Sequence, residues 1–224
     1  MLERILPSSV AVVATRSDLD AQLFPEEEWI IRRAIESRRR EFATARACAR
    51  GALAKLGLPP QSIPADPHGS PVWPRGIVGS ITHCAGYRAA AAGRTRDLAA
   101  LAIDAEPNRH LREGTLSVIA SPSESRWVQK CLRESPHIRW DRLLFCIKEA
   151  VYKAWFLLTG QSLGFEDVRI EIDRVSQAFS AQLGATVSMV DRLALSRMSG
   201  RWLVADGLIV ASIALPQRPT LWNG

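Results

Sequence analysis

The stretch that most constrains this chain runs from Phe145 to Trp155 and reads F-C-I-K-E-A-V-Y-K-A-W. At 3.6 residues per turn, Glu149 and Lys153 stand one turn apart on a shared helical face. Phe145, Tyr152 and Trp155 build an apolar stripe on an adjacent face. A carboxylate and an ammonium are thereby held on a rigid, anchored helix. The same pair also fits an ordinary salt bridge on a solvated face, so the stretch by itself leaves function open.

A second segment lies some way upstream. Leu98 to Glu106 reads L-A-A-L-A-I-D-A-E, an apolar run that suits a buried strand and that Pro107 stops. Side chains two apart on a strand point to the same side, so Asp104 and Glu106 project together from its end. Neighbouring carboxylates repel and raise each other's pKa unless a cation sits between them. A hard divalent ion, Mg²⁺ above all, is the usual resolution, often completed by phosphate oxygens and water. A strand running out into a polar loop would carry the same two acids. Taken with Glu149, three carboxylates from two elements make a candidate metal site.

Together the two segments resemble the signature of the Sfp-type 4′-phosphopantetheinyl transferases, in particular the branch found in actinobacteria and near the enterobactin-synthesis enzymes. That signature is a strand ending G-[IV]-D-x-E followed by a helix reading [FW]-[SCT]-x-K-E-[AS]-x-x-K. Ala102 to Glu106 matches the first, with Ala102 where glycine is usual, and Phe145 to Lys153 matches the second in full. The resemblance implies an α+β fold of two similar α/β lobes related by pseudo-twofold symmetry. Each lobe would be a small antiparallel-rich sheet with packed helices. The lobes would span residues 1–107 and 108–224, with the active site at their interface.

Composition agrees with a soluble globular protein: 224 residues, 47% hydrophobic and 23% charged. The formal charge of +6 suggests polyanionic partners such as nucleotide phosphates, nucleic acid or an acidic protein, without choosing among them. Cys48, Cys84, Cys131 and Cys146 are scattered, with no C-x-x-C pair, and read as free thiols in a reducing cytoplasm. No apolar run has the length of a membrane span. Ile5 to Ala14 is apolar enough for a signal-peptide core, but Glu3 spoils the basic leader such a peptide needs.

Along the chain, Val10 to Thr15 reads as a strand. A long helical pattern then opens at Pro25 and Glu26 to Glu28, runs to Leu56 with a break expected at Gly51, and closes at Gly57 and Pro59-Pro60. Its many arginines fit a solvated face or contact with a nucleic-acid backbone. The family instead carries an R-R-x-E-F-x-x-x-R-x-x-x-R helix that resembles Arg39 to Arg50. That resemblance implies that Arg46, then Arg39 and Arg50, with Arg38 beside them, meet the 3′-phosphate and adenine end of coenzyme A. A fork of N–H donors suits that task. Gln61 to Pro74 is a rigid connection in which Gly69-Ser70-Pro71 resembles the family's nucleotide-lining G-x-P loop, with His68 where many relatives have a basic residue.

Ile77 to Ala92 reads as strand, turn at Ala85-Gly86, and strand. Gly79 to His83 matches the family's G-S-[ILM]-[ST]-H pattern, which implies that Ser80, Thr82 and His83 face the coenzyme A 3′-phosphate. A histidine in an apolar strand also fits a satisfied core residue. Asn108 to Gly114 reads as a polar loop. Ser121-Pro122-Ser123-Glu124 opens a capped helix, and Arg139 to Leu158 forms the central one. Val168 to Ile172, Ala178 to Leu183 and Trp202 to Leu215 read as antiparallel strands, ended by Pro216 and Pro219.

The activity implied is Mg²⁺-dependent transfer of 4′-phosphopantetheine from coenzyme A to a serine of an apo acyl or peptidyl carrier protein, releasing 3′,5′-ADP. Asp104, Glu106 and Glu149 would hold the metal. Asp104, Lys148 and Lys153 would meet the coenzyme A phosphates, with Lys148 and Lys153 stabilising charge and Glu149 acting as the base. The carriers could belong to fatty-acid, polyketide or nonribosomal-peptide synthesis, siderophores included. The resemblance further implies a monomer with neither nucleic acid nor membrane as partner. Two other readings compete: a metal-dependent phosphodiesterase using the same acids, and a nucleic-acid-binding module built on the arginine-rich helix. Against the latter, 29 basic residues are balanced by 23 acidic ones and no standard nucleic-acid motif is present.

Overall fold

The computed structural model describes residues 1–184 and 197–217. A short 3-10 turn at Leu2–Arg4 leads into β1 (Ala11–Thr15), α1 (Pro25–Ile31) and α2 (Glu36–Lys55). Then come β2 (Ile77–Cys84), β3 (Tyr87–Arg94) and β4 (Leu98–Pro107), followed by α3 (Thr115–Ile119), α4 (Pro122–Glu134) and α5 (Trp140–Thr159). The chain closes with β5 (Val168–Asp173), β6 (Ala178–Leu183), β7 (Arg197–Ala205) and β8 (Leu208–Pro216). Every strand pair is antiparallel. One sheet has the order β1-β3-β2 and the other β4-β8-β7-β6-β5.

These elements stack in four layers, α2 over the small sheet, the small sheet over the large one, and the large sheet over α4 and α5. The run Ala89 to Ala92 in β3 shows why the layers fit. Ala90 and Ala92 pack under Cys48, Ala49 and Leu53 of α2, while Ala89 and Ala91 face Ile103, Ala105 and Val210 of the large sheet. A central strand pressed between a helix and a second sheet has room for little more than a methyl on either side. β4 and β8 are likewise covered on both faces, which is why each reads as nearly unbroken apolar sequence. Each sheet carries one 20-residue helix across it, α2 or α5.

Several details differ from expectation. The helical pattern of the first half breaks not at Gly51 but at residues 32–35, where Ile35 turns extended (φ −65°, ψ 157°). That break lets α1 bury Glu27 and Ile31 while α2 buries a different face. Arg39 donates to the carbonyls of Ile31 and Arg32 at the end of α1. Gly51 instead permits close approach, because a Cβ there would lie 3.2 Å from Val13. The run from Trp202 to Leu215 is two strands joined by Asp206-Gly207, both at positive φ (50° and 74°). An Asp-Gly pair between apolar runs is the usual mark of such a hairpin.

The polar loop Asn108 to Gly114 is followed by the short helix α3, which the sequence reading does not include. On α5 the buried stripe includes Leu143, Leu144, Ile147, Val151 and Trp155, whereas Phe145 and Tyr152 are only half-buried. β4 is the last element of the 1–107 half, yet it is hydrogen-bonded into the large sheet through β8. Leu2, Ile5, Leu6, Val10 and Val12 are buried between the two sheets. Among the described residues no helix is long and apolar enough to cross a membrane. Pro219 lies outside the described residues.

Candidate active site

β2 and β4 are edge strands of different sheets that meet at the join between the halves. No backbone ladder links them, and the hydroxyls of Ser80 and Thr82 satisfy the exposed edge instead. Ile103 N–H donates to Ser80 Oγ at 3.1 Å, and Ala105 N–H donates to Thr82 Oγ1 at 3.0 Å. Thr82 Oγ1 in turn donates to Asp104 Oδ1 at 3.3 Å. Both hydroxyls are buried in this seam. They stand where the sequence placed them along the strand, but their bonds run to β4 rather than outward.

A cleft of about 580 Å³ opens beside the seam. Its walls are the loop from Asp66 to Pro71, Gly79 to Ile81 of β2, and the face of α5 bearing Glu149, Tyr152, Lys153 and Phe156. The loop is pinned by Asp66, whose Oδ1 accepts from the N–H groups of His68 and Ser70, each at 2.8 Å. That brings Gly69, Ser70 and Pro71 to the cleft, and sets the His68 ring edge-on to Phe156 at 5.2 Å. Phe156 stacks on Tyr152. Gly79 is needed here, since a Cβ would lie 2.6 Å from the Trp73 ring and 2.7 Å from the Ala91 carbonyl.

The acids at the seam are crowded. Lys153 Nζ donates to Asp104 Oδ1 at 2.7 Å and to the Ile103 carbonyl at 3.1 Å. Burial works against the Lys153 charge, but Asp104 and then Glu149 outweigh it and raise its pKa. Glu106 pairs with Arg142 at 3.1 Å. Burial first, then Asp104 and Glu149, push the Glu106 carboxyl up to about 7 against the pull of Arg142. Glu149 is also raised, by burial and by Asp104, with Lys153 opposing. Behind them the buried Cys146 thiol is held well above its usual range by burial and the same two strand acids.

Whether these residues suit a divalent metal is tested by Asp104. Its Oδ2 is buried with no hydrogen-bond partner, beside two more carboxylates whose pKa burial and then Asp104 raise. Hard oxygen donors with unbalanced negative charge fit Mg²⁺. Among the described residues no three His, Cys, Asp or Glu side chains are drawn into one ligand set as they stand. Lys153 takes one oxygen of Asp104 and Arg142 one of Glu106.

Lys148 is placed differently from expectation. It points away from the cleft, buried, and donates to Glu124 Oε2 (3.2 Å) and to the Phe165 and Val168 carbonyls (both 2.9 Å). The basic helix also divides its arginines among tasks. Arg50 Nη1 donates to both oxygens of the buried Glu27 and Nη2 to the Gln22 carbonyl, while Arg39 caps α1. Arg46 is 4% exposed, stacks over Phe42 at 4.3 Å, and leaves its Nε without a partner. Burial pulls it down to about 10, against Glu27. Arg38 donates to Glu41 at 2.7 Å and reaches His83 Nε2 at 3.0 Å. His83 Nδ1 lies 3.2 Å from Glu41. Burial, with Arg38, Lys153 and Arg88, holds His83 below its usual value despite Glu41.

Sequence reasoning missed Glu41, Arg142, Glu124 and the aromatic wall of Tyr152 and Phe156. Glu41 is the acid of the R-R-x-E-F pattern and could have been read as a partner for its basic neighbours. Nothing local marks Arg142, whose partner lies 36 residues away, and the local cap signal at Glu124 does not point to Lys148, 24 residues away.

Residues 26–93 match the model of the 4′-phosphopantetheinyl transferase N-terminal domain, and residues 100–203 that of the 4′-phosphopantetheinyl transferase superfamily. The chain is 42% identical over 219 residues to 4′-phosphopantetheinyl transferase Svp of Streptomyces mobaraensis, covering 96% of this chain and 89% of that protein. It is 43% identical to Npt of Nocardia iowensis over 96% of this chain and 99% of that one. It is also 43% identical to PptT of Mycobacterium tuberculosis, over 85% of each. A cleft at the seam of two antiparallel sheets, walled by the K-E-x-x-x-K helix and the D-x-E strand, together with this similarity across nearly the whole chain, places the protein in the 4′-phosphopantetheinyl transferase superfamily, as an enzyme of phosphopantetheinyl transfer.

Proposed function

We propose that this transferase moves the 4′-phosphopantetheine arm of coenzyme A onto a serine hydroxyl of an apo acyl or peptidyl carrier protein and releases 3′,5′-ADP. The observation that carries the reading is the Lys153–Asp104 pair beside Glu149, with Asp104 Oδ2 buried and unpartnered at the seam. Asp104, Glu106 and Glu149 would hold Mg²⁺, which when bound supplies charge neutralisation at the pyrophosphate.

The serine oxygen forms a bond to the phosphorus that carries pantetheine, and the bond from that phosphorus to the ADP oxygen breaks. Glu149, its pKa raised towards working pH by burial and Asp104, takes the serine proton directly or through water. Lys153 stabilises charge gathering on the phosphoryl oxygens. The unpaired Nε of Arg46 and the Arg38–His83 contact support a 3′-phosphate subsite on the first half, and the loop from Gly69 to Pro71 lines the nucleotide. Since Arg39 and Arg50 are engaged within the fold, the basic helix offers no continuous stripe for a nucleic-acid backbone. Four free thiols suit a reducing cytoplasm.

Incubation with coenzyme A, Mg²⁺ and a panel of apo carrier proteins, read by mass spectrometry, tests this. A gain of one phosphopantetheine arm is expected with the parent and none with folded Asp104→Ala or Glu149→Ala. Full activity in folded Glu149→Ala would sink the mechanism.

A further inference from the structure

Within the K-E-x-x-x-K helix, two lysines five residues apart point to opposite destinations. Successive residues of an α-helix are turned about 100° from each other, so with Glu149 facing the cleft, Lys148 faces the body of the second half. There its side chain is 1% exposed and that of Glu124 is 5% exposed. An ammonium has three N–H donors, and the contacts to Glu124, Phe165 and Val168 give each an acceptor. No donor remains for a phosphate.

Glu124 is as fully engaged. Its Oε2 also accepts from Ser121 N–H at 2.8 Å, closing the cap of α4, and its Oε1 accepts from Ile170 N–H in β5 at 2.8 Å. One buried ion pair therefore joins four pieces: α5, the start of α4, the 160–167 segment and the start of β5. That segment begins at Gly160, which lines the cleft at the end of α5. Buried ion pairs add little net stability, and removing one partner strands the other charge. What such a pair fixes is geometry.

Resting on the transferase reading above, we propose that Lys148 and Glu124 are positioning residues. The pair holds the rotation of α5 about its axis, and so the bearing of Glu149, and anchors the 160–167 segment, whose first residue lines the cleft, without touching coenzyme A. Glu124 lies outside both signature motifs, so the function of the helix depends on a residue those motifs do not contain.

Steady-state kinetics with coenzyme A and an apo carrier domain, beside circular dichroism and thermal melts, test this on Lys148→Met, Glu124→Gln and the double variant. Misplacing a catalytic group is expected to lower kcat by about tenfold or more in Lys148→Met while the coenzyme A KM stays within about threefold. Glu124→Gln should shift kcat in the same direction. The double variant should be no slower than Lys148→Met, since the two act as a unit. A coenzyme A KM raised about tenfold or more at unchanged kcat would show a direct phosphate contact and overturn the proposal. Parental kcat in folded variants would show a purely structural pair and also overturn it.

If Lys148→Met does not fold, Glu124→Gln decides alone. Its single amide oxygen can accept from Ser121 or from Ile170 but not from both, and full activity there sinks the idea. A parent that modifies no carrier would instead sink the transfer reading itself, which separates the two failures.

Discussion

At the scale of single residues, the site is a contest between burial and charge. Lys153 keeps its proton because Asp104 is 2.7 Å away. If its charge grows more valuable as negative charge develops on the phosphates, Lys153→Met lowers kcat by more than it raises the coenzyme A KM. An exposed-type salt bridge would be worth under about 1 kcal/mol and leave kcat unchanged. His83 gives a second test, through pH. Its folded pKa lies below the usual 6.5 because burial and nearby cations disfavour the imidazolium. The unfolded chain therefore takes up the proton first as pH falls, and stability drops through the window just below 6.5. His83→Gln removes that proton uptake. Thermal melts of both proteins between pH 7.5 and 5.5, about one unit either side of the ordinary histidine value, should show the parent losing ground to the variant as the pH falls. Parallel curves would show that His83 is not held below its unfolded value.

At the scale of elements, close approach decides which residues are possible. β2 can lie beneath Trp73 and beside β3 only because residue 79 has no side chain. Gly79→Ala is expected to cost about 1–3 kcal/mol by overpacking, since the nearest atoms are the partly buried Trp73 ring and a backbone carbonyl that cannot swing aside. Chemical denaturation measures this, and a loss under about 0.5 kcal/mol would mean that the strand shifts freely. The start of α4 was readable from Ser121-Pro122-Ser123-Glu124, because a cap is built from residues three apart. The hinge at residues 32–35 was not. Nothing local there forbids a helix, and the break follows from where Glu27 and Ile31 must be buried.

At the scale of the molecule, the two sheets are stitched by hydroxyls rather than by a shared ladder. Thr82→Val keeps the shape of the side chain and leaves the Ala105 N–H buried without its acceptor, a loss of about 1–3 kcal/mol. It also removes the bond that helps orient Asp104, so Mn²⁺ binding followed by electron paramagnetic resonance should weaken in parallel. Thr82→Ser should recover both. If Thr82→Val binds Mn²⁺ as the parent does, the hydroxyl holds the seam but not the acid.

The sequence by itself determined what depends on neighbours along the chain. The parity that puts Asp104 and Glu106 on one side of β4 follows from the two-residue period of a strand. The turn that puts Glu149 and Lys153 on one face follows from the helix. The order of these motifs was enough to point to the family. Only the tertiary structure decided where each charge goes. Lys148 and Lys153 belong to one motif, yet one is buried against Glu124 and the other meets Asp104. Arg46 and Arg50 are one turn apart, yet Arg50 is claimed by Glu27 while Arg46 keeps an unpartnered nitrogen. The physical reason is common to all four. A side chain's bearing follows from local geometry, but its partner is set by how helices are rotated against sheets, and that rotation is fixed by burial summed over distant parts of the chain.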